Sequence, residues 1–241
     1  LISGKGRTVS RAPLCFSWQN EGMNEPWMSF PSLSALPGFA HRFTLRHPTI
    51  DVNAERAEVV ERLWGWHRTQ AEDMGFSGDS LCVAEQVHGS KVSALESRQV
   101  LSTEGADGLI SNCPGLLIGI YVADCCAVYL ADARRGAFGV VHSGKKGSEL
   151  GITRHAILEM GRHYGSAPED IVVQLSPCIR PPAYEVDFAA QIRQQAQDVG
   201  VPASQVHDNG ECTSSDLRRF YSYRMEKGRT GRMLALLGRL I

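Results

Sequence analysis

With 241 residues, of which 43% are hydrophobic and 21% charged, the chain can bury a substantial core in one large domain or two small ones. A net charge of -1 gives no electrostatic case for nucleic acid or an anionic membrane surface, and no apolar run approaches the roughly 20 residues of a membrane span. Seven cysteines, an odd number without tight spacing, point to free thiols in a reducing compartment, by default the cytoplasm.

Residues 1–30 carry basic side chains but no apolar run followed by a small-residue cleavage site, so they make a poor signal peptide. They read as a mobile polar extension, leaving 31–241 as the domain. Residues 53–74 have apolar side chains at helical spacing, with Asn53 as N-cap and Gly75 as the stop. Residues 81–87 and 91–95 read as two strands of a hairpin turning at Gly89-Ser90, which puts His88 at its tip. Short apolar strands follow at 107–111, 116–122, 126–131 and 137–141, broken at Pro114-Gly115, Ala123-Asp124-Cys125 and Arg134-Arg135-Gly136. Helices are expected at 149–164 and 188–199, and a strand at 171–175 between them. An aromatic strand-like piece at 220–223 and an apolar run at 233–241 complete the chain. Strands in the middle with helices around them indicate a single α+β (mixed α/β) domain with a central sheet system flanked by helices.

Three segments stand out: Gln86-Val87-His88-Gly89, Ala123-Asp124-Cys125 and Val141-His142-Ser143-Gly144. Each puts one metal-type ligand at the end of an apolar strand, where a sheet hands over to loops. Two imidazoles and a thiolate suit Zn²⁺, and three protein ligands leave a position open for water or substrate. A histidine taken singly is more often a surface or hydrogen-bonded residue than a ligand. His41, His47, His67, His155, His163 and His207 keep that reading. Spacing alone leaves the three-ligand idea open, because gaps of tens of residues are far from the compact pairs of a zinc finger.

The same segments, with Ala106-Asp107-Gly108, Pro177-Cys178-Ile179, Tyr184-Glu185-Val186, Cys212-Thr213, Phe220-Tyr221-Ser222-Tyr223-Arg224 and Thr230-Gly231-Arg232, resemble the laccase-domain family. Its members are named polyphenol oxidases and purine nucleoside phosphorylases. The resemblance runs in order from about residue 36 to the C-terminus. It implies zinc on His88, Cys125 and His142, and a fold shared with a toxin deamidase. The family's third motif carries an alanine, a tryptophan and an arginine where this chain has Ser143, Lys145 and Lys146, so a stacking surface is lost while a cation is kept at Lys146.

On this reading the chain is a zinc enzyme for small molecules, a purine nucleoside and phosphate, acting by phosphorolysis with adenosine deamination as a second activity. It is a monomer or homodimer, with no nucleic-acid or membrane partner. Cys125 and His142 would act with Asp124 as the carboxylate, preferred to Glu85, which a strand would point away from Gln86; the alternative for Asp124 is a turn carboxylate capping backbone N–H groups. The 143–147 turn leads into the 149–164 helix, so backbone N–H groups and the ammonium groups of Lys145 and Lys146 could converge on an anion; the alternative is a solvated basic turn. Arg42, Arg56, Gln86, Ser143, Ser222 and Arg224 complete the expected substrate-binding set. Copper is disfavoured: there is no His-x-His pair for a trinuclear site, and no methionine near Cys125 or His142 for a blue-copper site. Two rivals stay open, a metal-independent hydrolase or deamidase using Cys125 and His142 as nucleophile and base, and a zinc-binding protein that has lost catalysis.

Overall fold

The computed structural model describes residues 25–96 and 102–241, so most of the expected N-terminal extension lies outside the described residues. Two mixed six-stranded sheets form the centre of one α+β domain. In chain order the elements are β1 (Trp27–Met28), α1 (Pro31–Ser34), β2 (Phe39–Thr44), α2 (Arg56–Asp73), β3 (Leu81–Ala84), β4 (Val92–Leu95), β5 (Ser102–Thr103), β6 (Gly108–Ser111), β7 (Leu117–Val122), β8 (Cys126–Asp132) and β9 (Ala137–Ser143). There follow α3 (Lys145–Glu149), α4 (Ile152–Tyr164), β10 (Val172–Leu175), α5 (Phe188–Asp198), β11 (Val206–Asp208) and β12 (Met233–Arg239). One sheet has the order β1-β2-β12-β7-β3-β5 and the other β11-β10-β8-β9-β6-β4.

Every residue of β7, β8 and β9 is buried, because both faces of each sheet are covered. On the inner faces, Ile118, Ile120 and Val122 meet Tyr129, Phe138 and Val140, joined by Met233, Ala235 and Leu237 of β12. The alternate residues Leu117, Tyr121, Leu234 and Leu236 pack outward on Val60, Trp64 and Ala71 of α2. On the other sheet, Val128, Leu130 and Val141 pack on Ile157 and Met160 of α4 and Ile192 of α5. The two-residue alternation thus resolves into four layers, helix, sheet, sheet, helices.

Several local expectations change. Residues 81–95 are not a hairpin: β3 pairs in parallel with β7 and β5, while β4 pairs in parallel with β6 in the other sheet. Gln86 and His88 take left-handed φ values of 64° and 60°, and the turn between them carries the chain from one sheet to the other. The expected 149–164 helix is interrupted by Gly151, whose φ of 74° ends α3 and restarts the chain as α4. Phe220–Tyr223 is not a strand. The Phe220 N–H goes back to the Asp216 carbonyl, and that of Tyr221 to the Met233 sulfur, leaving no ladder to form. Trp27–Met28 pairs with Phe43–Thr44 and Phe30 is buried, so residues 27–30 belong to the domain rather than to an extension.

Candidate metal centre and its cavity

Three strand ends build the site. His88 follows β3, Cys125 follows β7, and His142 is the penultimate residue of β9. Their ligand atoms lie within 4.8 Å of one another. His142 is buried, Cys125 half-buried and His88 exposed, so the cluster is anchored on the protein side and reachable from the cavity.

Asp107, fully buried just before β6, organises the cluster. One carboxylate oxygen accepts from the His88 N–H (2.9 Å) and pairs with Nδ1 of His142 (3.0 Å). The other accepts from the N–H groups of Val87 (3.2 Å) and Gly89 (2.7 Å). A single carboxylate therefore shapes the loop that carries one ligand and sets the ring of another, leaving Nε2 of His142 for the cluster. Burial pushes the Asp107 carboxyl up, but His142 and the Gly89 and His88 N–H groups outweigh it and hold it below the usual carboxylate range. Burial likewise opposes charge on the other two residues. The Cys125 thiol would rise, yet His142 and His88 bring its pKa down to about 6. His142 would fall, yet Cys125 and Asp107 bring it up to about 9. Cys125 and His142 thus each favour the other's charged form, and a cation bound between them would displace the ring proton to solvent.

Gly144 makes room for the sulfur, since a Cβ there would stand 2.4 Å from Cys125 Sγ. Gln86, expected to touch substrate, clamps the site from behind. Its amide donates to the Tyr121 carbonyl (2.6 Å) and accepts from the Tyr121 N–H (2.9 Å), tying the loop after β3 to β7.

The cluster lies in a cavity of about 630 Å³. Its walls carry Tyr184, Phe188 and Tyr223 together with six cationic side chains: Arg56, Lys145, Arg224, Lys227, Arg229 and Arg232. The guanidinium of Arg224 lies 4.8 Å over the Tyr184 ring and 3.2 Å from Glu185, which also faces Lys145 at 3.9 Å. All four non-glycine residues with left-handed φ among the described residues, Gln86, His88, Asp124 and Lys227, line this one cavity. Each such conformation costs on the order of 1–3 kcal/mol, which the surrounding hydrogen bonds must offset.

Of the residues expected from sequence, His88, Cys125, His142, Asp124, Gln86, Arg56, Lys145 and Arg224 line the cavity. The structure places four others elsewhere. Arg42 lies over the Trp27 ring and pairs with Gln70 and Asp73, because its strand position faces α2. Ser143 is buried, its hydroxyl 2.9 Å from that of Ser148. Ser222 is buried and accepts from the Met225 N–H. Lys146 is exposed on α3 and does not line the cavity. Asp124 is engaged on both oxygens, by Thr213 Oγ1 (2.7 Å) and the Arg224 N–H (2.7 Å). Asp107, Arg232 and Glu185 are site residues that the sequence pattern does not mark out, although each stands in a motif that carries the family resemblance. An aspartate before glycine at a strand start was the one available signal for Asp107.

The model of the multi-copper polyphenol oxidoreductase laccase family matches residues 51–191 and 186–239. The chain belongs to this family. Among its relatives, purine nucleoside phosphorylase YlmD of Geobacillus stearothermophilus is 28% identical over 79% of this chain and 82% of its own length. A purine nucleoside phosphorylase of Deinococcus radiodurans is 33% identical over 70% and 74%. An adenosine deaminase, RL5, from an unknown prokaryote is 25% identical over 67% and 77%. The crystal structure of YlmD from Geobacillus stearothermophilus superposes with a TM-score of 0.78 at 26% identity, over 92% of this chain and 98% of that one. The two-sheet architecture is therefore that of the laccase domain, and relatives named for nucleoside chemistry share it. No described helix is long and apolar enough to cross a membrane.

Proposed function

We propose that this protein is a zinc-dependent purine nucleoside phosphorylase of the cytoplasm. The observation that carries the reading is the convergence of His88, Cys125 and His142 in a cationic, aromatic-walled cavity. Its volume falls in the ordinary range of small-molecule sites, about 300–1,000 Å³. The relatives' names point to the same substrate class.

The donor set fits zinc: two imidazoles and a thiolate at close range, with an Asp–His contact fixing one ring. Among the described residues no methionine lines the cavity, so none is placed as the axial ligand of a blue-copper site. A zinc ion held there supplies Lewis acidity toward an oxygen of the substrate. The chain's own residues do the remaining work. Tyr184, backed by the buried Phe188, and Tyr223 offer ring surface for a purine, and the cationic wall favours an anionic nucleophile. In phosphorolysis a phosphate oxygen bonds to C1′ of the ribose while the C1′–N9 bond breaks. The electron pair leaves with the purine, which takes up a proton. Positioning both reactants in one cavity is the main contribution the protein makes to such a step. Asp124, engaged on both oxygens, serves as a positioning residue that ties the turn before Cys125 to the backbone of Arg224.

The Asp107–His142–Cys125 array favours a second reading, a metal-free nucleophile with its base and orienting carboxylate. His88 argues against it, because a nucleophile–base pair needs no third ligand on a left-handed backbone. The test is to incubate metal-verified protein with adenosine and inosine, with and without phosphate, and to separate bases, nucleosides and sugar phosphates by chromatography. Ribose 1-phosphate formed only with phosphate, lost on chelation and restored by zinc, is expected. Inosine from adenosine without phosphate reveals deamination as a second activity. Turnover that survives chelation and yields to thiol alkylation overturns the zinc reading.

A further inference from the structure

Arg232 ends the turn before β12 and is only 8% exposed. Its Nη1 donates to the carbonyls of Thr230 (2.7 Å) and Gly231 (2.9 Å). Gly231 packs under Tyr221, where a Cβ would come within 2.4 Å of the ring, so the turn that aims Arg232 tolerates no side chain there. Those bonds engage one nitrogen. The Nε–Nη2 edge, with which a guanidinium takes two oxygens at once, has no hydrogen-bond partner among the described residues, and Arg232 lines the cavity.

A second guanidinium, Arg56, lines the same cavity and donates to the neutral Glu85 carbonyl (2.9 Å). Among the described residues neither arginine has a carboxylate within 4.0 Å, whereas Lys145 and Arg224 face Glu185 and Arg229 faces Glu55. Burial and the nearby charge of Arg56 push the Arg232 pKa down, against weaker attraction from Tyr223, Cys125 and Asp124. A buried cation beside a like charge is costly unless an anion joins it.

We propose that Arg56 and Arg232 form the anion subsite of the cavity, recognising a phosphate group, either inorganic phosphate or the phosphate of a nucleotide. This deepens the phosphorylase reading and rests on it for the use of the site. It also moves the anion from the 143–147 turn, whose Lys146 does not line the cavity.

Titration calorimetry of the full chain with inorganic phosphate, adenosine and adenosine 5′-monophosphate tests this without turnover. Arg232→Met is expected to raise the phosphate Kd by at least about tenfold, and Arg232→Lys by less, since a point charge replaces a fork. Arg56→Met is expected to raise it about three- to tenfold, with Lys146→Ala unchanged as the control. Arg56 is exposed and Arg232→Lys keeps the charge, so both variants remain readable where Arg232→Met fails to fold. A monophosphate that binds more tightly than adenosine, with the gain lost in Arg56→Met, assigns the subsite to nucleotides. Tight inorganic phosphate with no such gain assigns it to the free anion. The proposal falls when Arg56→Met and Arg232→Lys bind phosphate and monophosphate as the wild type does, or when neither ligand binds through its phosphate. Phosphate bound through this pair without any ribose 1-phosphate formed would sink the phosphorylase reading alone. Phosphorolysis with a phosphate KM indifferent to both arginines would sink the subsite alone.

Discussion

Asp107 and His142 meet 3.0 Å apart at the start of one strand and the end of its neighbour, both essentially shut off from solvent. Across the cavity, Arg224 reaches Glu185 from a 222–232 loop with half of its side chain still in water, and Lys145 stands 3.9 Å from the same exposed carboxylate. The floor is a buried network gathered on Asp107, whose two oxygens hold three N–H groups and one imidazole, and losing that carboxylate leaves its partners stranded. The mouth is a set of solvent-screened pairs and ring faces, each replaceable at small cost. A metal needs ligands held to a fraction of an ångström, whereas a substrate needs walls that can exchange partners as it enters. The two regions therefore differ in how strongly they should answer to substitution.

The largest effect is expected at Asp107. Asp107→Ala strands three backbone N–H groups and one imidazole, so we expect a loss of about 3–5 kcal/mol of stability. Metal affinity should fall about 10–100-fold. Asp107→Asn, of nearly the same shape, should keep more of the fold but still bind metal weakly. Chemical denaturation together with metal analysis checks both. Wild-type metal content in Asp107→Ala would mean that the floor is not the connected unit described here.

Gly144→Ala is expected to come next and to separate metal binding from folding. Its φ of -99° suits any residue, so the only penalty is the Cβ driven against Cys125 Sγ. Overpacking of this kind costs about 1–3 kcal/mol. The thiol must turn aside, and metal content should drop while the melting temperature shifts modestly. Gly151→Ala is the matching control, with open space around the Cβ but a φ of 74°. It should lose about 1 kcal/mol of stability and keep its metal. Equal metal loss in the two variants would break the steric account.

The same division shows in what the sequence made legible. His88 and His142 were readable because small residues follow each at the end of an apolar run, and Cys125 because it follows Asp124 at a break between two apolar runs, all local signals. Asp107 carries as much of the floor, but its partners lie 18–35 residues away, and no local pattern reports a contact of that span. The hairpin expected at 81–95 failed for the same reason. Two apolar runs around Gly89-Ser90 look alike whether they pair with each other or each joins a distant parallel strand, and the choice is made by Asp107 gathering the N–H groups of 87–89. Consecutive aromatics at 220–223 suggested a strand, yet Phe220 and Tyr221 are both buried from a turn. Arg42 faces α2 rather than the cavity because β2 pairs with β12, nearly two hundred residues later.

At the mouth, Glu226 is expected to have a smaller effect. One of its oxygens accepts from Arg46 (2.6 Å), Thr230 (2.5 Å) and the Ser222 N–H (3.0 Å), closing the 222–230 loop. Burial pushes its carboxyl up, but Arg46, Thr230 and Ser222 outweigh it and hold it below the usual range. A depressed carboxylate contributes stability that is whole above its unfolded pKa, about 4.3, and is lost as pH falls through the lower folded value. Glu226→Gln should therefore cost about 1–2 kcal/mol at pH 7, and the gap to wild type should narrow below about pH 4. Urea unfolding at both pH values measures this. A gap that is constant down to pH 3 would show that the charge is not what closes the loop.

The smallest expected effects separate Lys145 from Lys146. Neighbours on α3 are about 100° apart around the axis, so one of them can face the cavity while the other faces solvent. Lys145 is half-exposed and its contact with Glu185 is long, so its charge is largely screened. Lys145→Ala is expected to weaken phosphate binding by no more than about threefold, and more so at low salt. Lys146→Ala, and Lys146→Arg with a guanidinium fork in place of the ammonium group, are expected to change neither phosphate binding nor metal content. Titration of inorganic phosphate at two ionic strengths distinguishes the pair. A response at Lys146 equal to that at Lys145 would mean that α3 turns in solution to present both ammonium groups. The mouth would then be more mobile than its two ion pairs to Glu185 suggest.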